Sequence, residues 1–202
     1  MEIAQELAYN ILILTVYTIV VTLVFNKAVQ ALDARVIVQT DSDYLNQQME
    51  ESNLNDLVNI KFSFPDTYKV EEFKNLALEI KNKSPDAVIE VDWKDSLISD
   101  FENNGRRLIR VIPGKDEVSQ APSTILPGQT LKEQLSDEKP TAPLFDIGKL
   151  KKAAAKNDRF SIRFLLKIAD PSKGGRSCHF RCQFIVKKLL WQKALSLSLQ
   201  PK

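Results

Sequence analysis

The sequence predicts a mainly β protein, an immunoglobulin-like antiparallel β-sandwich preceded by one N-terminal transmembrane helix. Three observations carry this. A run of 20 uncharged residues, Leu7 to Asn26, lies near the start of the 202-residue chain. From about residue 58 the apolar residues recur with a period of two, the signature of half-buried strands. Turn-forming clusters then separate about seven such strands, the rhythm of a sandwich of this size.

The uncharged run comes first. At about 1.5 Å per residue, 20 helical residues span about 30 Å, the thickness of the bilayer hydrocarbon. Ile11 to Phe25 contains 11 Leu, Ile, Val or Phe residues. Together these favour insertion by roughly 3–7 kcal/mol. A cleaved secretory signal fits less well, because Met1–Glu6 holds Glu2 and Glu6 and no Lys or Arg. Lys27 and Arg35 follow the run, so the positive-inside rule places the rest of the chain in the cytoplasm. Thr15, Thr18 and Thr22 share one helix face, either bonding back to their own helix or packing on another.

Residues 1–30 thus read as the membrane helix, 31–57 as a connector, 58–190 as the sandwich and 191–202 as a tail. Within the connector, Leu45, Met49 and Leu54 fit a short amphipathic turn. The first strand, "VNIKFSF" (58–64), turns Val58, Ile60, Phe62 and Phe64 inward. "LALEIKNKSPDAVIEVDW" (76–93) reads as a hairpin about Ser84-Pro85-Asp86, with Leu76, Leu78, Ile80, Ile89, Val91 and Trp93 inward. "RRLIRVI" (106–112) and "TLKEQL" (130–135) are further strands. "GKLKKAAAKND" (148–158) is a short surface helix. "FSIRFLLKI" (160–168) and "CHFRCQFIV" (178–186) form a closing hairpin across "ADPSKGGRS". The proline-rich stretch 113–143 reads as long loops around one strand.

The order "NKS…IEVDW" (82–93), "RVI" (110–112), "APSTILPGQ" (121–129) and a paired C-terminal hairpin resembles the β-sandwich domain of uncharacterised bacterial membrane-anchored proteins and lipoproteins. The chain is also similar in general look to small cyanobacterial membrane proteins. The resemblance covers about Leu76 to Val186. It implies an immunoglobulin-like fold and an envelope setting, and no catalytic residues. This chain departs from it in having a helical anchor where a lipidated cysteine is usual.

Charge is unevenly distributed. The net is +2. Residues 28–146 hold 13 Lys/Arg against 22 Asp/Glu, and 147–202 hold 14 against 2. The halves either neutralise one another as neighbouring strands or leave a basic face toward anionic lipid or an acidic partner.

The candidate chemical motifs are sparse. "CHFRC" (178–182) holds both cysteines and the only histidine. A structural zinc site needs four ligands, and strand alternation turns His179 away from the cysteines. Four extended residues separate the cysteines by about 13 Å, beyond the reach of a disulfide, so Cys178 and Cys182 read as buried free thiols. No hydrolase, metalloprotease, phosphate-loop or dinucleotide motif occurs. "NKS" (82–84) reads as turn chemistry rather than a glycosylation site. The expectation is therefore a non-enzyme with no cofactor, no metal and no nucleic-acid partner. Its partners are membrane lipids and another membrane-associated protein. The membrane-interface candidates are Lys27, Arg35, Lys187, Lys188, Trp191 and Lys193. The alternative is a carrier that holds a lipid or small apolar ligand inside the sandwich, lined by Trp93 and the inward phenylalanines.

Overall fold

In the computed structural model the structure describes residues 2–112, 120–171, 174–193 and 196, with backbone alone for 2–4 and 31–33. Part of the expected 113–143 loop and most of the 191–202 tail lie outside these residues.

Helix α1 (Glu2–Ala34) contains one stretch, Gln5–Gln30, long and apolar enough to cross a membrane. Of that stretch only Ala28 is buried within the chain, unlike the core helix of a soluble protein. Thr15 and Thr18 donate to the carbonyls of Ile11 and Leu14, each at 2.8 Å, which satisfies both hydroxyls within the helix. The chain then passes directly into β1 (Arg35–Thr40), α2 (Ser42–Glu51) and β2 (Val58–Ser63). After β3 (Tyr68–Lys69) and a 3-10 turn (Val70–Glu72) come β4 (Leu76–Asn82), β5 (Val88–Ser99), β6 (Gly105–Arg107) and β7 (Ile109–Val111). The remainder is β8 (Ser123–Ile125), β9 (Thr130–Ser136), α3 (Ile147–Lys156), β10 (Arg159–Asp170) and β11 (Gly174–Lys188).

Among the described residues the strands form two antiparallel sheets. One has the order β3-β1-β11-β10-β5-β6, with β8 pairing the other half of β5, and the second has the order β2-β4-β9-β7. Their inner faces share one apolar core. Phe160 stacks on Phe184 at 4.9 Å, and Phe62 of the second sheet meets Phe184 edge-on at 4.8 Å. The protein is thus a mainly β, immunoglobulin-like antiparallel sandwich preceded by an apolar helix, as its sequence predicts. The expected inward residues are buried, apart from half-buried Phe64 and Cys178.

Three pairings differ from the expectation. First, 76–93 is no hairpin: β4 belongs to one sheet and β5 to the other. Alternation reports which face is buried, not which neighbour supplies the hydrogen bonds. Asn82, fully buried, forms the corner between the layers. Its Nδ2 donates to the Ala87 and Ile125 carbonyls at 2.8 and 3.1 Å, and its Oδ1 accepts from the Ser84 amide at 3.0 Å. The Asn82-Lys83-Ser84 sequon is therefore turn chemistry with an enclosed asparagine.

Second, 106–112 is not one strand. It changes sheets at Leu108, whose amide donates to Ser96 O at 2.9 Å. Leu108 and Ile109 are both buried, which breaks the alternation at the crossing.

Third, 31–57 is not merely a connector. β1 is an inner strand, paired with β11 over Val36↔Lys188 to Thr40↔Phe184. Its short run "RVIVQT" merges with the apolar helix before it, which hides its period of two. α2 then follows the part of β11 that β1 leaves unpaired, anchored by Asp41 N to Gln183 O at 2.9 Å. Met49 and Leu54 are buried in the core.

Candidate membrane-facing site

The end of the sandwich nearest α1 collects the basic groups. No residue intervenes between Ala34, the end of α1, and Arg35, the start of β1. From Gln30, the end of the apolar span, to Arg35 the helix advances about 7.5 Å, the depth of a headgroup layer. Antiparallel register brings the end of β11 back to this level, with Val36 opposite Lys188 and Ile37 opposite Lys187.

α3 closes the same end. Asp146 caps it, accepting from Lys149 N at 2.9 Å, and Asn157 ends it in the left-handed region that asparagine tolerates. Leu150, Ala153 and Ala154 face inward, while Lys151, Lys152 and Lys156 face outward. Lys149 binds Glu102 at 2.6 Å, and that hydrogen bond raises the lysine's pKa.

Between α3 and the strands lies a concavity of about 230 Å³. Four cations line it, Arg35, Lys151, Lys152 and Lys188, over Val36, Ala154 and Ala155. Arg35 Nη1 donates to Thr67 Oγ1 at 3.0 Å, which fixes the guanidinium at the rim. Lys151 and Lys152 have no ion-pair partner among the described residues. The adjoining recess brings Glu71 and Ile147 beside Lys151 and Ala34. Tyr68, packed 4.7 Å from Phe73 in the same corner, has its phenol pushed up to about 12 by burial.

The sequence candidates divide. Arg35 and Lys188 meet in the concavity. Lys187 lies next to it and donates to Gln39 Oε1 at 3.1 Å. Trp191 follows β11 with Leu190, and each is 64% exposed. Lys27 is exposed on α1. Lys193 lies apart, 3.3 Å from Asp66. Lys151 and Lys152 were not among the candidates. Their signal was available, since "GKLKKAAAK" is a basic amphipathic helix, a pattern typical of membrane surfaces.

The halves of opposite charge meet only in part. Lys149, Arg159, Lys167 and Lys193 pair with Glu102, Asp41, Asp92 and Asp66. The Lys167 bond holds the Asp92 carboxyl below its usual range. Elsewhere, a row of cations crosses the outer face of the larger sheet: Arg107 opposite Leu97, Leu97 opposite Arg163, Arg163 opposite Arg181. All three arginines are exposed, and Arg181 donates to Ser161 Oγ at 3.2 and 3.1 Å.

The remaining candidates are structural. Cys182 is enclosed and Cys178 half-buried, and burial raises the pKa of both thiols, so neither is an activated nucleophile. His179 is exposed on the opposite face. Trp93 packs 6.0 Å from Phe164, and its Nε1 donates to Ser123 Oγ at 3.0 Å.

No protein-family model and no curated protein matches the chain. Solved structures similar to parts of it include a FixG-related protein from Vibrio parahaemolyticus, at 15% identity and TM-score 0.30, covering 65% of this chain and 95% of that one. Another is the structural-genomics target SoR45, at 10% identity and TM-score 0.26, covering 72% and 84%. A third is an ASH/PapD-like domain of human CEP192, at 9% identity and TM-score 0.28, covering 67% and 86%. Likenesses of this order assign no activity and no partner.

Proposed function

We propose that the protein is a non-enzymatic, single-pass membrane protein that presents its sandwich at the bilayer surface as an interaction or scaffold domain, accessory to a membrane protein complex. One observation supports this above the others: the apolar helix continues without a linker into an inner strand of the sandwich. Such a junction holds the domain at one height, which suits a docking platform better than a tethered, free-ranging module. The basic end beside the helix exit favours the cytoplasmic side of the cell membrane. The sequence resemblance suggests a bacterial envelope.

The protein partner docks on the outer face of the larger sheet, where Arg107, Arg163 and Arg181 call for an acidic surface. Like charges directly opposite in a sheet are unfavourable alone, and a carboxylate-rich partner relieves that repulsion. Capture of the full chain from membranes in mild detergent is expected to recover a stoichiometric partner. Arg163→Glu with Arg181→Glu lowers recovery at least about tenfold, because reversed charges across an interface cost several kcal/mol. Recovery of this chain alone, or of the same partner by the double variant, contradicts the reading.

A further inference from the structure

The concavity between α3 and the first and last strands has the position and chemistry of a ligand site. Four cations converge on it from three separate elements: Arg35 from β1, Lys188 from β11, and Lys151 and Lys152 from α3. Its floor is apolar, formed by Val36, Ala154 and Ala155. It lies about 7.5 Å past the apolar span, within electrostatic reach of a headgroup layer. Leu190 and Trp191, both exposed, extend from the same strand end, and an indole favours the membrane interface.

We propose that this concavity binds the phosphate of an anionic phospholipid headgroup. The inference rests on α1 spanning the membrane. Arg35 offers a planar fork suited to two phosphate oxygens, and the lysines supply compact charges around it. Glu71, in the neighbouring recess, is the one carboxylate that lines it with Lys151 among the described residues. It does not line the concavity itself, and it disfavours a second anion in the recess. The lipid occupies the site from the leaflet that α1 has just left, so the acyl chains stay in the bilayer while the phosphate enters between α3 and β1.

The test uses the full chain in nanodiscs of phosphatidylcholine with minor phosphatidylglycerol, and native mass spectrometry of the lipids that stay bound on release. If α1 does not span, the chain fails to enter the discs, and the membrane reading falls before any lipid is measured. Once the chain is incorporated, phosphatidylglycerol is retained in preference to phosphatidylcholine. Lys151→Ala with Lys152→Ala lowers that preference roughly 30-fold, the effect of two cations near a charged surface. Both lysines are exposed on a helix, where alanine is favourable, so the fold is kept. Lys81→Ala with Lys132→Ala, on the outer face of the smaller sheet, leaves the preference intact. Unchanged selectivity in the α3 variant, or equal loss in both variants, overturns the proposal. So does binding of inorganic phosphate, dependent on Lys151 and Lys152, in discs of phosphatidylcholine alone, since the occupant is then a free anion.

Discussion

Phe160→Ala is expected to lower the stability of the sandwich by about 3–5 kcal/mol, the range for deleting a fully enclosed aromatic ring. Phe160 is 1% exposed and sits where several elements converge. Its ring lies 4.9 Å from Phe184 and Phe145, 6.0 Å from Phe73 and 6.1 Å from Phe101. These rings come from β11, from the segment before α3, from the segment before β4, and from the turn after β5. Removing the shared ring leaves a void that no single neighbour can fill, because each is held by its own element. Phe160→Leu keeps most of the volume and is expected to cost only about 1.5 kcal/mol. Denaturant unfolding of the full chain in detergent, followed by the emission of enclosed Trp93, measures both. Equal, small losses would show that the ring cluster is not the centre of the core.

Breaking the Arg110–Glu133 pair is expected to have a comparable effect for an electrostatic reason. Arg110 Nη1 donates to Glu133 Oε1 at 2.9 Å and to Ser123 Oγ at 3.0 Å, and Nη2 donates to Ala121 O at 2.9 Å. Ser123 Oγ donates to Glu133 at 3.2 Å and accepts from Trp93. The side chains of the pair are 13% and 15% exposed. This network ties β7 and β9 of one sheet to β8 and β5 of the other, closing the sandwich along one margin. Glu133→Leu leaves a largely enclosed guanidinium without its counter-charge, at a cost of about 3 kcal/mol. Arg110→Met with Glu133→Leu removes both charges, and most of the loss is expected to return. A double-mutant cycle by the same unfolding assay reads the coupling. Additive losses would mean the two groups act independently.

The legibility of the fold in the sequence varied by element. The apolar helix was plain, because 20 uncharged residues have few other interpretations. The inward faces of β2, β4, β10 and β11 were plain too, since alternation records burial directly. The partner of each strand was not. β4 and β5 flank a good turn, yet Asn82 bends the chain across the layers, and nothing in Ser84-Pro85-Asp86 distinguishes that corner from a hairpin. β1 was hidden by its apolar neighbour.

The candidate site was half visible for the same reason. Arg35 and Lys188 were found as charges flanking an apolar helix and a strand end. Their meeting with Lys151 and Lys152 depends on the Val36↔Lys188 register and on where α3 packs, and neither is local in sequence. The arginine row likewise exists only once four strands are placed side by side.

These features converge on one proposal: that the apolar helix spans the membrane, grows directly into the sandwich and holds its basic end at the bilayer. The most direct measurement is limited trypsin digestion of carbonate-washed vesicles containing the full chain with the sandwich outside. Arg35 lies in a strand paired on both sides, to Lys69 of β3 and to the end of β11. The account therefore predicts that the sandwich sediments with the vesicles and that no early cut falls between residues 35 and 58. Early release of a sandwich fragment cut within that stretch, or loss of the intact chain to the carbonate wash, would contradict it.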